Sequence, residues 1–199
     1  NLYQVLAKDL TILETLDKTE TIILNWNTKS TSLWDISKNK GLKTLEITDF
    51  SKLEEIDQLS LATQISNLTL GGGHDKPLKI KSINPLKNLT NLNTLSLTNL
   101  KIADDTLQSL GHLKNLETLF LSNQFETREY AWLATRLPKT KCKMFQATNS
   151  CNIVGADNKL VWDTMVTGRK KSFLLSTKDQ VKIEKYIKDF EKLKNELAE

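Results

Sequence analysis

A six-position pattern, apolar-x-x-apolar-x-apolar, recurs along this chain at nearly constant spacing, and nothing else in the sequence restricts the fold as much. It reads Leu42-Lys-Thr-Leu-Glu-Ile47, Ile65-Ser-Asn-Leu-Thr-Leu70, Leu92-Asn-Thr-Leu-Ser-Leu97 and Leu116-Glu-Thr-Leu-Phe-Leu121. A step of 23 residues back reaches Thr19, where Ile22 and Leu24 keep two of the three anchors. A step of 23 forward reaches Lys139, where Cys142 and Met144 do the same. The starts at 19, 42, 65, 92, 116 and 139 are therefore separated by 23, 23, 27, 24 and 23 residues. Units this short cannot bury an apolar side alone, so they stack on one another. Alternation within the unit is strand behaviour: positions four and six face inward, and positions three, five and seven face outward.

The pattern resembles the leucine-rich-repeat family, bacterial type, over residues 19–147. The resemblance implies an α/β solenoid: six short parallel strands line a concave sheet, and helical or irregular segments return along the convex side. Within that family position nine is usually Asn, whose amide satisfies turn backbone groups. Here it reads Asn27, Phe50, Gly73, Leu100, Gln124 and Ala147, so the Asn ladder is largely missing. The return segments place apolar residues at helical intervals, as at Leu53, Ile56 and Leu59, at Leu107, Leu110 and Leu113, and at Tyr130, Leu133 and Leu137 before Pro138.

A solenoid needs end caps. Residues 1–18 read as a helical N-terminal cap. Residues 148–199 read as a C-terminal capping subdomain. It has a hairpin around Gly155–Asn158, a second turn at Gly168–Lys171, a strand at 172–176, and a helix from Ser176 or Thr177 to about Leu197. Ile183, Ile187, Phe190 and Leu197 make its apolar stripe.

Function in this architecture usually lies on the concave face. Position three contributes Thr21, Thr44, Asn67, Thr94, Thr118 and Lys141. Position five contributes Ile23, Glu46, Thr69, Ser96, Phe120 and Lys143. Position seven contributes Asn25, Thr48, Gly71, Thr98, Ser122 and Phe145. Most are small and uncharged. Outward aromatics beside lysines suit a protein hot spot, so the expected ligand-binding residues are Trp26, Glu46, Thr69, Gly71, His74, Phe120, Lys143 and Phe145. Gly71-Gly-Gly73 does not continue into Gly-Lys-Ser/Thr and so is not a phosphate loop. It marks a turn, with His74 and Asp75 on a loop at the rim of the one repeat stretched to 27 residues.

Composition narrows the remaining classes. Residues 139–199 carry thirteen Lys/Arg against eight Asp/Glu, and the first 138 carry fifteen against sixteen. No basic stripe follows the strands, so nucleic acid is not expected as a partner. The two histidines and two cysteines have no metal-ligand spacing, and no nucleophile and base converge; neither catalysis, metal nor cofactor is expected. Two cysteines make no disulfide framework and suit free thiols. No apolar run is long enough to span a membrane. The reading is a monomeric, non-enzymatic protein-binding module. Its biology stays open between an intracellular toxin-antagonising or regulatory protein and a surface receptor or adhesin fragment. Localisation leans to the cytoplasm and leaves a removed leader open.

Overall fold

The computed structural model describes residues 1–198. They form two compact units: residues 1–122 with 139–141, and residues 123–138 with 142 onward.

The first unit is built on one parallel sheet of β1 (Leu2–Tyr3), β2 (Thr21–Asn27), β3 (Thr44–Phe50), β4 (Asn67–Gly71), β6 (Thr94–Thr98) and β8 (Thr118–Leu121), in that spatial order. A smaller parallel pair, β5 (Leu78–Ile80) and β7 (Leu100–Ile102), lies alongside. The register follows the repeat template: Thr21, Thr44, Asn67, Thr94 and Thr118 are partners in one row. Positions four and six are buried in every strand from β2 to β8, from Ile22 and Leu24 to Leu119 and Leu121.

The return segments are 3-10 turns rather than α-helices, at Thr11–Thr15, Ile36–Lys38, Asp57–Leu61, Asn84–Asn88 and Gln108–His112. Each buries a pair of apolar residues three apart: Leu10 and Leu13, Leu33 and Ile36, Ile56 and Leu59, Ile83 and Leu86, Leu107 and Leu110. A spacing of three matches the three residues per turn of a 3-10 helix, whose side chains at i and i+3 eclipse. The first of these pairs corrects the expected helical cap over 1–18. That segment supplies a strand, β1, in parallel register with β2, and a return turn like the others.

Position eight explains how position nine turns inward. Trp26, Asp49 and Asn99 hold left-handed backbone angles, with φ of 59, 56 and 49°. One such residue at the strand end rotates the next side chain into the core. Asn27 and Phe50 are thereby buried, and so is Leu100. In the third repeat the chain makes a detour. Leu78, not Gly73, pairs with Leu100 and fills the inward place. The intervening residues form the loop that lengthens this repeat.

Polar groups of the turns are satisfied by a ladder of amides, displaced from where the family pattern puts it. Asn27 alone acts at position nine: it donates to Ala7 O (2.9 Å) and accepts from the Lys29 and Ser30 amides. The other rungs lie on the approach to each strand. Asn39 Nδ2 donates to Leu13 O (2.7 Å) and Leu16 O (3.1 Å), and its Oδ1 accepts from the buried Trp34 indole (2.6 Å). Gln64 donates to Ile36 O and Asn39 O, Asn91 to Thr63 O, and Asn115 to Thr90 O.

The second unit holds helix α1 (Thr127–Arg136), a 3-10 turn at Lys143–Phe145, an antiparallel sheet in the order β11-β10-β9, and helix α2 (Ser176–Leu197). The strands are β9 (Thr148–Val154), β10 (Leu160–Val166) and β11 (Phe173–Leu174). α1 spaces Tyr130, Ala131, Leu133 and Ala134 on one buried face, as an α-helix requires. α2 is anchored by Phe190, which is buried, with Ile183, Tyr186, Leu193 and Leu197 half-buried on the same side. Ile187 falls outside that ridge and is exposed. Neither Ser176 nor Thr177 caps α2; Ser176 instead donates to Asp163 of β10, and Asp179 accepts from the Leu175 amide.

Tyr130 is the second unit's buried polar pivot. Its hydroxyl accepts from the amides of Gln124 (2.9 Å) and Phe125 (3.1 Å), and burial pushes its pKa up to about 12. Tyr130→Phe leaves both amides without that acceptor. At about 1–3 kcal/mol for each unsatisfied buried group, the expected loss is about 2–4 kcal/mol, measured by urea unfolding of the full chain.

Candidate functional site

The outward face of the parallel sheet is a grid of three rows. One row is Thr21, Thr44, Asn67, Thr94 and Thr118; the next is Ile23, Glu46, Thr69, Ser96 and Phe120. The third begins with Tyr3 and runs through Asn25, Thr48, Gly71 and Thr98. Strands in a ladder lie about 4.8 Å apart, so the short side chains make a shallow floor. Asn25 Nδ2 donates to Thr48 Oγ1 (2.7 Å), and Asn67 donates to Thr44 Oγ1 (3.3 Å). These bonds tie neighbouring strands.

Apolar side chains rise at both ends of the grid. Phe120 is 53% exposed on β8. At the opposite end Trp26, 37% exposed, meets Tyr3, 72% exposed, edge to face with ring centroids 5.8 Å apart. Glu46 and Thr69 are register partners near the middle of the floor, both half-buried.

Gly71 lies in the third row, between Thr48 and Thr98. It is buried, and a Cβ there would stand 3.1 Å from Thr98 O and 3.7 Å from Thr48 Cγ2, so the neighbouring threonines already close over it. His74 sits on the loop of the lengthened repeat and pairs with Asp75 at 2.7 Å, the two side chains being 99% and 87% exposed. A pair so open to water contributes little to stability. The loop is held from below: Asn99 Nδ2 donates to Gly73 O (2.6 Å) and Lys76 O (3.3 Å).

Lys143 and Phe145 are not on the grid. The sixth repeat keeps its sequence period but not its strand. Lys141 makes a single parallel bridge to Thr118, after which Phe145 N bonds Cys142 O (3.2 Å) and Gln146 N bonds Lys143 O (3.3 Å). The backbone closes on itself in a 3-10 turn of the second unit, where Lys143 is exposed and Phe145 half-buried. Sequence reasoning missed Tyr3, because residues 1–18 read as a helix. The outward exposure of Trp26 rests on a left-handed backbone that periodicity does not report.

Cys142 is half-buried, and burial raises its thiol to about 11, well out of the reactive range. Among the described residues no three or more His, Cys, Asp or Glu gather at metal-binding distance, and no helix is long and apolar enough to cross a membrane.

Stacked parallel strands, 3-10 returns and buried columns at a period of 23 to 27 residues define a leucine-rich-repeat fold. Solved structures with this fold include two internalins of Listeria monocytogenes. Internalin InlF matches at 22% identity and a TM-score of 0.51, over 68% of this chain and 37% of its own. Internalin C2 matches at 24% identity and a TM-score of 0.50, over 71% of this chain and 57% of its own. The chain thus spans less than two thirds of either neighbour's length, and at these identities the likeness concerns the fold. No protein-family model and no curated protein matches the chain.

Proposed function

We propose that the chain is a non-enzymatic binding module that holds a protein partner on the outward face of its parallel sheet. The leucine-rich-repeat fold supports protein interaction in general. The observation that carries the finer reading is Trp26. A bulky residue in the left-handed region costs about 1–2 kcal/mol relative to its usual backbone. Asp49 and Asn99 fill the equivalent positions with residue types that tolerate it. Backbone strain tends to persist where it serves a site, and here it sets an indole outward beside Tyr3. Phe120 supplies the second anchor, with the Glu46–Thr69 floor between. Aromatic anchors around a small-residue floor are how protein hot spots are built.

Of the other expected contacts, His74 belongs at the rim, Gly71 shapes the floor from beneath, and Lys143 and Phe145 form a separate element of the second unit. Residues 1–18 and 148–199 remain the proposed ends around the repeats of 19–147. The grid holds no basic stripe that would favour nucleic acid.

Trp26→Asn and Phe120→Ala test the reading in partner capture from the source cell followed by titration. Each is expected to weaken binding about tenfold or more. Trp26→Asn should leave the melting temperature unchanged or slightly raised, because relief of strain offsets the lost Tyr3 contact. Parent-like binding by both variants overturns the proposal.

A further inference from the structure

We propose that the partner held on the parallel-sheet face is basic where it crosses β3, and that it sets an arginine or lysine side chain on Glu46; this rests on that face being the binding surface. Glu46 is the one charged side chain of the grid. Its neighbours there are neutral: Ile23 and Thr69 across the strands, and Thr44 and Thr48 along β3. Among the described residues the Glu46 carboxylate forms no hydrogen bond or ion pair. Lys43 and Lys52 stand before and after β3 and do not pair with it. The outward lysine nearest in the register is Lys141, through its bridge to Thr118. It lies beyond β4, β6 and β8 from Glu46, about 19 Å away at about 4.8 Å per strand. Charges that far apart across water are screened, because the Debye length is about 8 Å in physiological salt. The carboxylate is therefore uncompensated on its own chain, and water alone solvates its half-buried side chain.

A partner that touches both Trp26 on β2 and Phe120 on β8 passes over β3, which lies between them. A neutral surface laid there strips water from the carboxylate and returns no counter-charge, which is strongly unfavourable. An acidic surface adds like-charge repulsion. An arginine or lysine instead makes a charge-assisted hydrogen bond to the carboxylate. The surroundings suit a long basic side chain. Thr44, Thr48 and Thr69 are short, and Ile23 gives an aliphatic stem an apolar neighbour. Asn67 and Asn25 bond Thr44 and Thr48, so the floor beside the carboxylate is ordered before a partner arrives. The aromatic ends supply contact area, and Glu46 selects the sign of charge between them.

The test selects a random linear peptide library, displayed on phage, on the immobilised full chain. Selected peptides that lose affinity for Trp26→Asn or Phe120→Ala are the face binders. Their sequences are expected to carry arginine or lysine next to apolar residues, and Glu46→Gln is expected to weaken them about tenfold or more. The melting temperature should not move, because the side chain is outward and unpaired. Selection on Glu46→Lys is expected to return acidic residues in place of the basic ones. Thr69→Lys sets an internal cation beside Glu46 and is expected to weaken the original peptides more than Thr69→Gln does; this comparison decides if Glu46→Gln fails to fold. Face binders without a basic excess, or ones that Glu46→Gln and Thr69→Lys bind like the parent, overturn the basic partner and leave the binding face standing. A selection that yields no face binders overturns the face itself, and this inference with it.

Discussion

Asn39→Ala is expected to lower the unfolding free energy by about 3–5 kcal/mol, from about 1–3 kcal/mol for a buried polar group left unsatisfied and about 0.5–1.5 kcal/mol for each further hydrogen bond lost. The side chain is fully buried and makes three hydrogen bonds. Its removal leaves the buried Trp34 indole N–H without its acceptor and takes one donor each from Leu13 O and Leu16 O, which keep the amides of Leu16 and Thr19. For a domain with about 5–15 kcal/mol of total stability, that is a large share. Asn91 supplies the contrast. It forms the same kind of rung, donating to Thr63 O at 2.8 Å, but it is exposed, and water takes over when it is removed. Asn91→Ala is expected to cost under about 1 kcal/mol. Urea midpoints of the two variants check this pair directly. Equal, small losses would mean that the ladder is not a structural support of the first turns.

Gly72→Ala is expected to cost about 2–4 kcal/mol or to force the His74 loop into another path, an overpacking penalty at the upper end of its usual range. A Cβ at this position would lie 2.4 Å from Lys76 O, 2.6 Å from Asn99 O and 2.6 Å from Leu78 N. All three are backbone atoms, pinned by the bonds from Gly72 N to Thr98 O and Asn99 O and from Leu78 N to Asn99 O. No rotamer change relieves such a contact. The variant should therefore show a lower melting temperature together with faster protease cleavage near His74. Gly71→Ala is the milder neighbour. Its nearest contact, Thr98 O at 3.1 Å, needs a shift of a few tenths of an ångström, and about 1 kcal/mol is expected. If Gly72→Ala proves as mild as Gly71→Ala, the tight seating of the loop is not what the triple glycine serves.

The triple glycine thus reads differently in sequence and in structure. In sequence it is a turn signal at the end of a strand. In space its first member lies under two threonines, its second packs the loop against Asn99, and its third faces the Asp49 carboxylate, 2.5 Å from an added Cβ. The loop that follows is held at its base and open at its tip, which suits a rim contact better than a pocket.

What the sequence alone determined is the stack. Equal spacing makes each apolar position repeat on the one before, so the parallel register and the buried columns follow from arithmetic and alternation. The row Thr21, Thr44, Asn67, Thr94 and Thr118 is the template's third position, residue for residue. The hairpin and long helix of the C-terminal region were legible for a similar reason: alternation of two, then an apolar spacing of three and four.

Only the tertiary structure decided the rest, because each remaining feature depends on where a backbone bond finds its partner. Periodicity cannot tell that Trp26, Asp49 and Asn99 turn left-handed, and that turn sends position nine inward and Trp26 outward. Nor does it say that the first residues pair with β2 instead of coiling, which puts Tyr3 beside Trp26. At the other end the pattern runs on through Lys143 and Phe145, yet their hydrogen bonds close locally and the strand stops after Lys141. A spacing of apolar residues reports which side chains seek burial. It does not report which amide and carbonyl meet, and that pairing placed the aromatic ends of the face.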